Sequence, residues 1–153
     1  MRLFTAAYLV LLALVTVPTT VHFSTSATMR AIIEKTPQAR GLRPADLQQA
    51  ADADAAVAVG VALFLGIVYL IVAGGALRGW RWAFWLSVIL LALESLSALT
   101  GLNSIAHPGA SPLPRASLVG NWILSLVGVA LFVWLLVGLS RFGPWAVRWP
   151  KRR

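Results

Sequence analysis

Four stretches of the chain, 3–21, 55–77, 82–102 and 118–139, are nearly unbroken apolar runs, and Glu94 is the only acidic or basic residue inside any of them. A membrane-spanning helix needs about 20 such residues. Each run is apolar all round its helix, unlike the one-sided stripe of a soluble helix. The composition agrees: 59% of the residues are hydrophobic and 12% charged, with a mean hydropathy of +0.80. A soluble domain carries about 25% charged residues. The expected fold is therefore all-α, a polytopic membrane protein built as one bundle of four transmembrane helices, residues 1–153 forming a single membrane domain. With no cysteine in the chain, a disulfide scaffold and thiol chemistry are excluded.

Pro18 interrupts the first run, but Thr16, Thr19 and Thr20 supply hydroxyls that can satisfy the carbonyl it frees, so a kinked span is expected to survive. Arg2 ahead of this run and the small residues from Thr25 to Ala27 also fit a secretory signal loosely. A retained first span is the expectation here.

The net charge of +8 does not point to nucleic acid, because the basic residues flank apolar runs and form no stripe on a soluble surface. Anionic lipid head groups and insertion topology explain them. With the N terminus inside, Arg2, Arg78, Arg81, Arg141, Arg148, Lys151, Arg152 and Arg153 are cytoplasmic. That is 8 of the 13 basic residues. Arg30, Lys35, Arg40, Arg43 and Arg115 lie outside, diluted by Glu34, Asp46, Asp52 and Asp54. Both termini are therefore expected in the cytoplasm. Trp80, Trp82, Trp85, Trp145 and Trp149 fall at the same inner edge, as an aromatic belt does. An excess of arginine over lysine, with abundant alanine, valine and leucine, suggests a high-GC bacterial source and so a bacterial inner membrane.

Outside the runs, residues 22–54 form the one sizeable loop. Thr28 to Thr36 reads as a short amphipathic turn or helix with Met29, Ile32 and Ile33 on one side. Pro44 is a good first helical residue, and nothing after it breaks a helix before the second run, so one continuous helix is expected from there. The loop from Asn103 to Ala116 is rich in proline and glycine and should be irregular. In the tail, 141–153, Trp145 and Trp149 are four apart and are expected on one side of a short interfacial helix.

Chemistry, if present, centres on Glu94. A charge at the middle of a span costs about 2.5 to 3.5 kcal/mol on insertion scales, so Glu94 should face the bundle, protonated or hydrogen-bonded, about 12 Å below the outer end of its span. Helical spacing gives each span one polar or small face: Thr5, Tyr8, Thr16 and Thr19; Asp54, Ala58, Ala62, Gly66 and Tyr69; Ser87, Glu94, Ser97 and Gly101; Ser117, Asn121, Ser125 and Gly128. Interior packing and hydrogen bonding account for such faces. The functional alternative is a vestibule open to the outside, since His22, Asp52, Asp54, Glu94, Asn103, His107 and Asn121 map to the outer half. Glu94, Asp54 and His22 are then the candidate catalytic or proton-carrying residues, and Asn121, Tyr69, Asn103 and Ser97 the candidate ligand-binding ones. No metal is expected, because His22 and His107 have no short ligand spacing. The cofactor question stays open.

No phosphate loop, nucleophile elbow or catalytic triad spacing occurs. The small multidrug transporters resemble the chain in having four spans and a membrane glutamate, but theirs lies in the first span and Glu94 in the third, so no residue role carries over. The leading functional expectation is a non-enzymatic accessory or lipid-binding subunit with an outward polar vestibule. Alternatives are an intramembrane isomerase, cyclase or oxygenase acting on a lipophilic substrate with Glu94 as acid or base, and a small proton-coupled exporter. Partners expected are membrane lipids, with a membrane-protein partner, a homo-oligomer and a lipophilic small molecule left open, and no nucleic acid.

Overall fold

Apolar runs of this length fold as helices in a computed structural model that describes residues 1–34, 43–106 and 115–146, and their side chains apart from 97, 99–106, 115–118 and 146. Among the described residues all regular structure is helical: α1 (Arg2–Phe23), α2 (Ser26–Ile33), α3 (Pro44–Leu77), α4 (Arg81–Ala106) and α5 (Arg115–Phe142), then a 3₁₀ turn, Pro144–Ala146. Helices α1, α3 and α5 are long and apolar enough to cross a membrane. Pro18 lies inside α1 without ending it.

Pro44 opens α3 as the sequence predicts, with Arg43 and Asp46 paired at 3.0 Å across the first turn. The fixed φ of proline suits that position, and its missing N–H has no helical partner there to lose. At 34 residues α3 is about 51 Å long, well beyond the roughly 30 Å of a hydrocarbon core. The short helix α2 packs on α3, and Leu47, Ala51 and Ala55, four apart, form a buried line along the first part of α3. Helix α2 sits earlier than the expected Thr28 to Thr36, because Thr25 caps it by accepting from the Thr28 amide, and Arg30 pairs with Glu34 at its end.

Helix α1 lies along α3 and α4 along α5, with further contacts between α3 and α4 and between α1 and α5. The interior mixes large apolar side chains, Leu9, Leu12, Phe84, Leu91 and Leu135, with small and weakly polar ones, Ala6, Ala73, Ala76, Ala83, Thr5, Ser87 and Ser125, all buried. Large apolar side chains such as Leu14, Phe64, Leu93 and Ile123 point outward. The small residues let the backbones approach closely, and van der Waals contact of that kind holds lipid-facing helices together when water is absent.

One end is closed by specific contacts. Gly79 turns the chain from α3 to α4 at φ +73°, a conformation that strains other residues, and the Arg2 guanidinium lies against it. Trp145 corrects the expectation of an interfacial tail helix. It is buried, donates its indole N–H to the Trp80 carbonyl at 3.0 Å, and meets the Phe84 ring edge-on at 5.2 Å. Gly143, at φ +79°, ends α5 and Trp145 follows at φ +60°, so the chain folds back under the α3–α4 turn. A hydrogen bond and full burial of the indole offset that backbone strain. Trp149 lies outside the described residues. Trp80, Trp82 and Trp85 stay exposed, as belt residues do.

Candidate functional site

Glu94 stands midway along α4, 13 residues after Arg81 and 12 before Ala106, so about 18 to 20 Å of helix lies on either side. The shallower depth expected from sequence assumed a span ending at Leu102. Helix α4 instead runs on to Ala106, because an internal glycine such as Gly101 costs only about 1 kcal/mol and does not stop a helix.

Tyr69 of α3 donates its phenol hydrogen to Glu94 Oε1 at 3.1 Å. From α1, Tyr8 reaches across to α5 and donates to the Leu124 carbonyl at 2.9 Å. The phenol fits there because position 128 is glycine: a Cβ on Gly128 would lie 2.5 Å from the Tyr8 oxygen and 3.5 Å from Glu94 Cβ. Tyr8, Tyr69, Glu94 and Gly128, one from each long helix, therefore converge, with Tyr8 and Tyr69 almost fully buried and Glu94 half-buried. An amphipathic phenol suits this task, since its ring packs against apolar neighbours while its tip satisfies a carboxyl or carbonyl that water cannot reach. Chemically, the cluster can hold a carboxyl group in place by a hydrogen bond or pass a proton to and from it.

The remaining sequence candidates lie elsewhere. His22 is exposed in the last turn of α1, edge-on to the Phe23 ring at 4.9 Å. Asp54 is exposed on α3, 15 residues from Tyr69 and so about 22 Å further along the helix. Neither is brought to Glu94. Asp52 accepts from the Gln48 side chain at 3.0 Å on the same helix. The side chains of Ser97 and Asn103, and all of His107, lie outside the described residues. Among the described residues no three histidine, aspartate or glutamate side chains cluster as metal ligands do.

Asn121 is exposed and borders an open depression of about 360 Å³ between α1 and α5, together with Val15, Thr16, Thr19, Thr20 and Phe23. It is seven residues from Gly128, about 10 Å along α5, so this polar hollow and the Glu94 cluster are distinct places. Sequence reasoning placed Tyr8 and Gly128 on polar or small faces but did not pair them. The face of each helix was readable, whereas which faces meet depends on packing. No family model matches the chain, and neither a curated protein nor a solved structure does so.

Proposed function

We propose that the chain is a bacterial inner-membrane protein that crosses the bilayer four times, as a bundle with both termini in the cytoplasm, and acts as a non-enzymatic accessory protein that holds a lipid or similar amphiphile. The orientation rests on charge: eight of the 13 basic residues, Arg2, Arg78, Arg81 and Arg141 among them, belong to one end, against five at the other.

The observation that carries the binding reading is the lining of the depression between α1 and α5. Three threonines and Asn121 line the same open space as Val15 and Phe23. It lies in the last turns of α1, at the level where lipid head groups meet hydrocarbon, and so offers hydrogen bonds beside an apolar wall. Glu94 in this reading clasps the helices together.

A phosphatidylcholine carrying a photoreactive group near its head group, incorporated with the full chain into nanodiscs, tests this. Cross-links should concentrate on residues 15–23 and 119–123, and Asn121→Trp, which fills the hollow, should cut them at least threefold. Labelling spread evenly over all lipid-facing helices would overturn the assignment. A second reading, with Glu94 as the acid or base of an enzyme or the carrier of an exporter, is supported by its hydrogen bond to Tyr69 at mid-helix. A Glu94→Gln protein that folds normally but loses its cellular phenotype would favour that reading.

A further inference from the structure

At the end where α1 begins and α5 finishes, the ionisable side chains among the described residues are all arginines: Arg2, Arg78, Arg81 and Arg141. Two of these are occupied. The Arg2 guanidinium packs on the Gly79 turn, and Arg78 lies over the Trp80 ring at 5.2 Å. Arg141 is exposed and stands at the rim of a groove of about 360 Å³ between the start of α1 and the last turns of α5, bordered by Trp134, Val137 and Phe142. The Phe4 ring meets Trp134 edge-on at 5.7 Å, and both rings are exposed. Trp134 is seven residues from Arg141, so this aromatic shelf lies about 10 Å deeper along α5 than the guanidinium.

We propose that this groove binds one anionic glycerophospholipid, its phosphate on the Arg141 guanidinium and an acyl chain along Trp134 and Phe4. Charge complementarity selects this occupant. Every acidic side chain except Glu94 belongs to the opposite end, so among the described residues no carboxylate lies beside the arginine. A guanidinium offers a planar fork of donors that matches two phosphate oxygens, and it keeps its charge at any physiological pH. Below the rim, the apolar shelf gives a chain a surface that a soluble phosphate has no use for. The site is at the opposite end of the molecule from the hollow between α1 and α5, so its failure and that of the proposed function are separable.

The test is native mass spectrometry of the full chain in non-ionic detergent, with phosphatidylglycerol and phosphatidylcholine of identical acyl chains added in equal amounts. One basic residue near the membrane surface corresponds to about a fivefold preference, so phosphatidylglycerol should be retained about fivefold over phosphatidylcholine. Arg141→Gln should abolish that preference. Arg81→Gln, which removes an exposed arginine of the same end outside the groove, should leave it intact. Val137→Trp, which fills the trough without changing charge, should lower retention of phosphatidylglycerol at least threefold. Equal retention of the two lipids, or equal loss in the Arg141 and Arg81 variants, overturns the site in favour of a diffuse surface charge. Displacement of the lipid by millimolar inorganic phosphate overturns the role given to the acyl chain.

Discussion

Apart from the groove beside Arg141, the molecule is closed from its arginine end to Glu94, and from Glu94 to the α2 end its polar faces are open. In the closed half Thr5, Ser87, Tyr8 and Tyr69 are all buried, and Trp145 seals the base against Phe84 and the Trp80 carbonyl. In the open half Asp54, Asn121 and His22 are exposed, although they continue polar faces that begin inside. The contrast has a physical cause. Most polar groups cut off from water find partners within the protein, as the Tyr8 hydroxyl does where Gly128 leaves room, although the Thr5 hydroxyl is buried with no hydrogen-bond partner among the described residues. Polar groups at a helix end are hydrated already and gain little by meeting. A polar residue near the end of a span is therefore a poorer guide to a site than one at its middle.

The largest effect expected from this contrast is at Trp145. Replacing a buried tryptophan by alanine removes its packing and leaves a cavity, typically costing 3 to 5 kcal/mol, and here the Trp80 carbonyl also loses the indole donor and keeps only the Phe84 amide at 3.3 Å. Trp145→Ala should lower the stability of the detergent-solubilised protein by about 3 kcal/mol, measured by reversible unfolding in mixed micelles. Ending the chain after Phe142 should do the same. A truncated protein as stable as the full chain would mean that the tail only rests on the membrane and that the closed half needs no seal.

Gly128→Ala comes next. Its methyl group would meet the Tyr8 oxygen at 2.5 Å, and Tyr8 is fixed between α1 and the Leu124 carbonyl, so the phenol must leave its acceptor or the helices must part. Overpacking of this kind costs about 1 to 3 kcal/mol. The double change Tyr8→Phe with Gly128→Ala should recover part of the loss, since removing the hydroxyl removes the clash. Simple additivity of the two changes would place the strain elsewhere.

How much of this was legible beforehand follows from which physical rule governs each residue. The existence of the helices and the Pro44 start depend on local composition and backbone restriction, and both are readable, whereas the expected irregular loop from Asn103 to Ala116 is helical through Ala106 and again from Arg115. The inward faces carrying Tyr8, Tyr69, Ser87, Glu94, Ser125 and Gly128 followed from helical spacing, and those of these residues that are fully buried confirm the face. Spacing alone cannot say where a face ceases to be interior, which is why Asp54 and Asn121 were grouped with residues they do not reach. An aromatic beside arginines carries the same composition signal whether it faces lipid or folds under a turn, so composition does not place Trp145. Its positive φ and the break at Gly143 have no signature in hydropathy.

Smaller effects are expected at the cluster itself. Interhelical hydrogen bonds in membranes average about 0.6 kcal/mol, because the unfolded chain in the bilayer also finds partners. Tyr69→Phe should therefore cost under about 1 kcal/mol. Glu94→Gln keeps an oxygen for the Tyr69 hydroxyl and should cost less still. If either change collapses the closed half, the cluster is the keystone of the packing and Trp145 merely follows it.

The smallest expected effect is also the sharpest test of the boundary between the halves. Asp54 is about 22 Å along α3 from Tyr69, and His22 sits in the final turn of α1. Both side chains are exposed, so Asp54→Asn and His22→Gln should each change stability by less than about 0.5 kcal/mol. Sites more than 7 to 10 Å apart with no shared partner usually add. Combining either change with Glu94→Gln should then give a coupling energy of about zero, within roughly 0.3 to 0.5 kcal/mol. A coupling above 1 kcal/mol would mean that Glu94 is linked to the rim through a water-filled path. The open half would then reach the carboxyl, and the vestibule expected from the sequence would be restored along with the acid, base or proton-carrier role for Glu94 that depends on it.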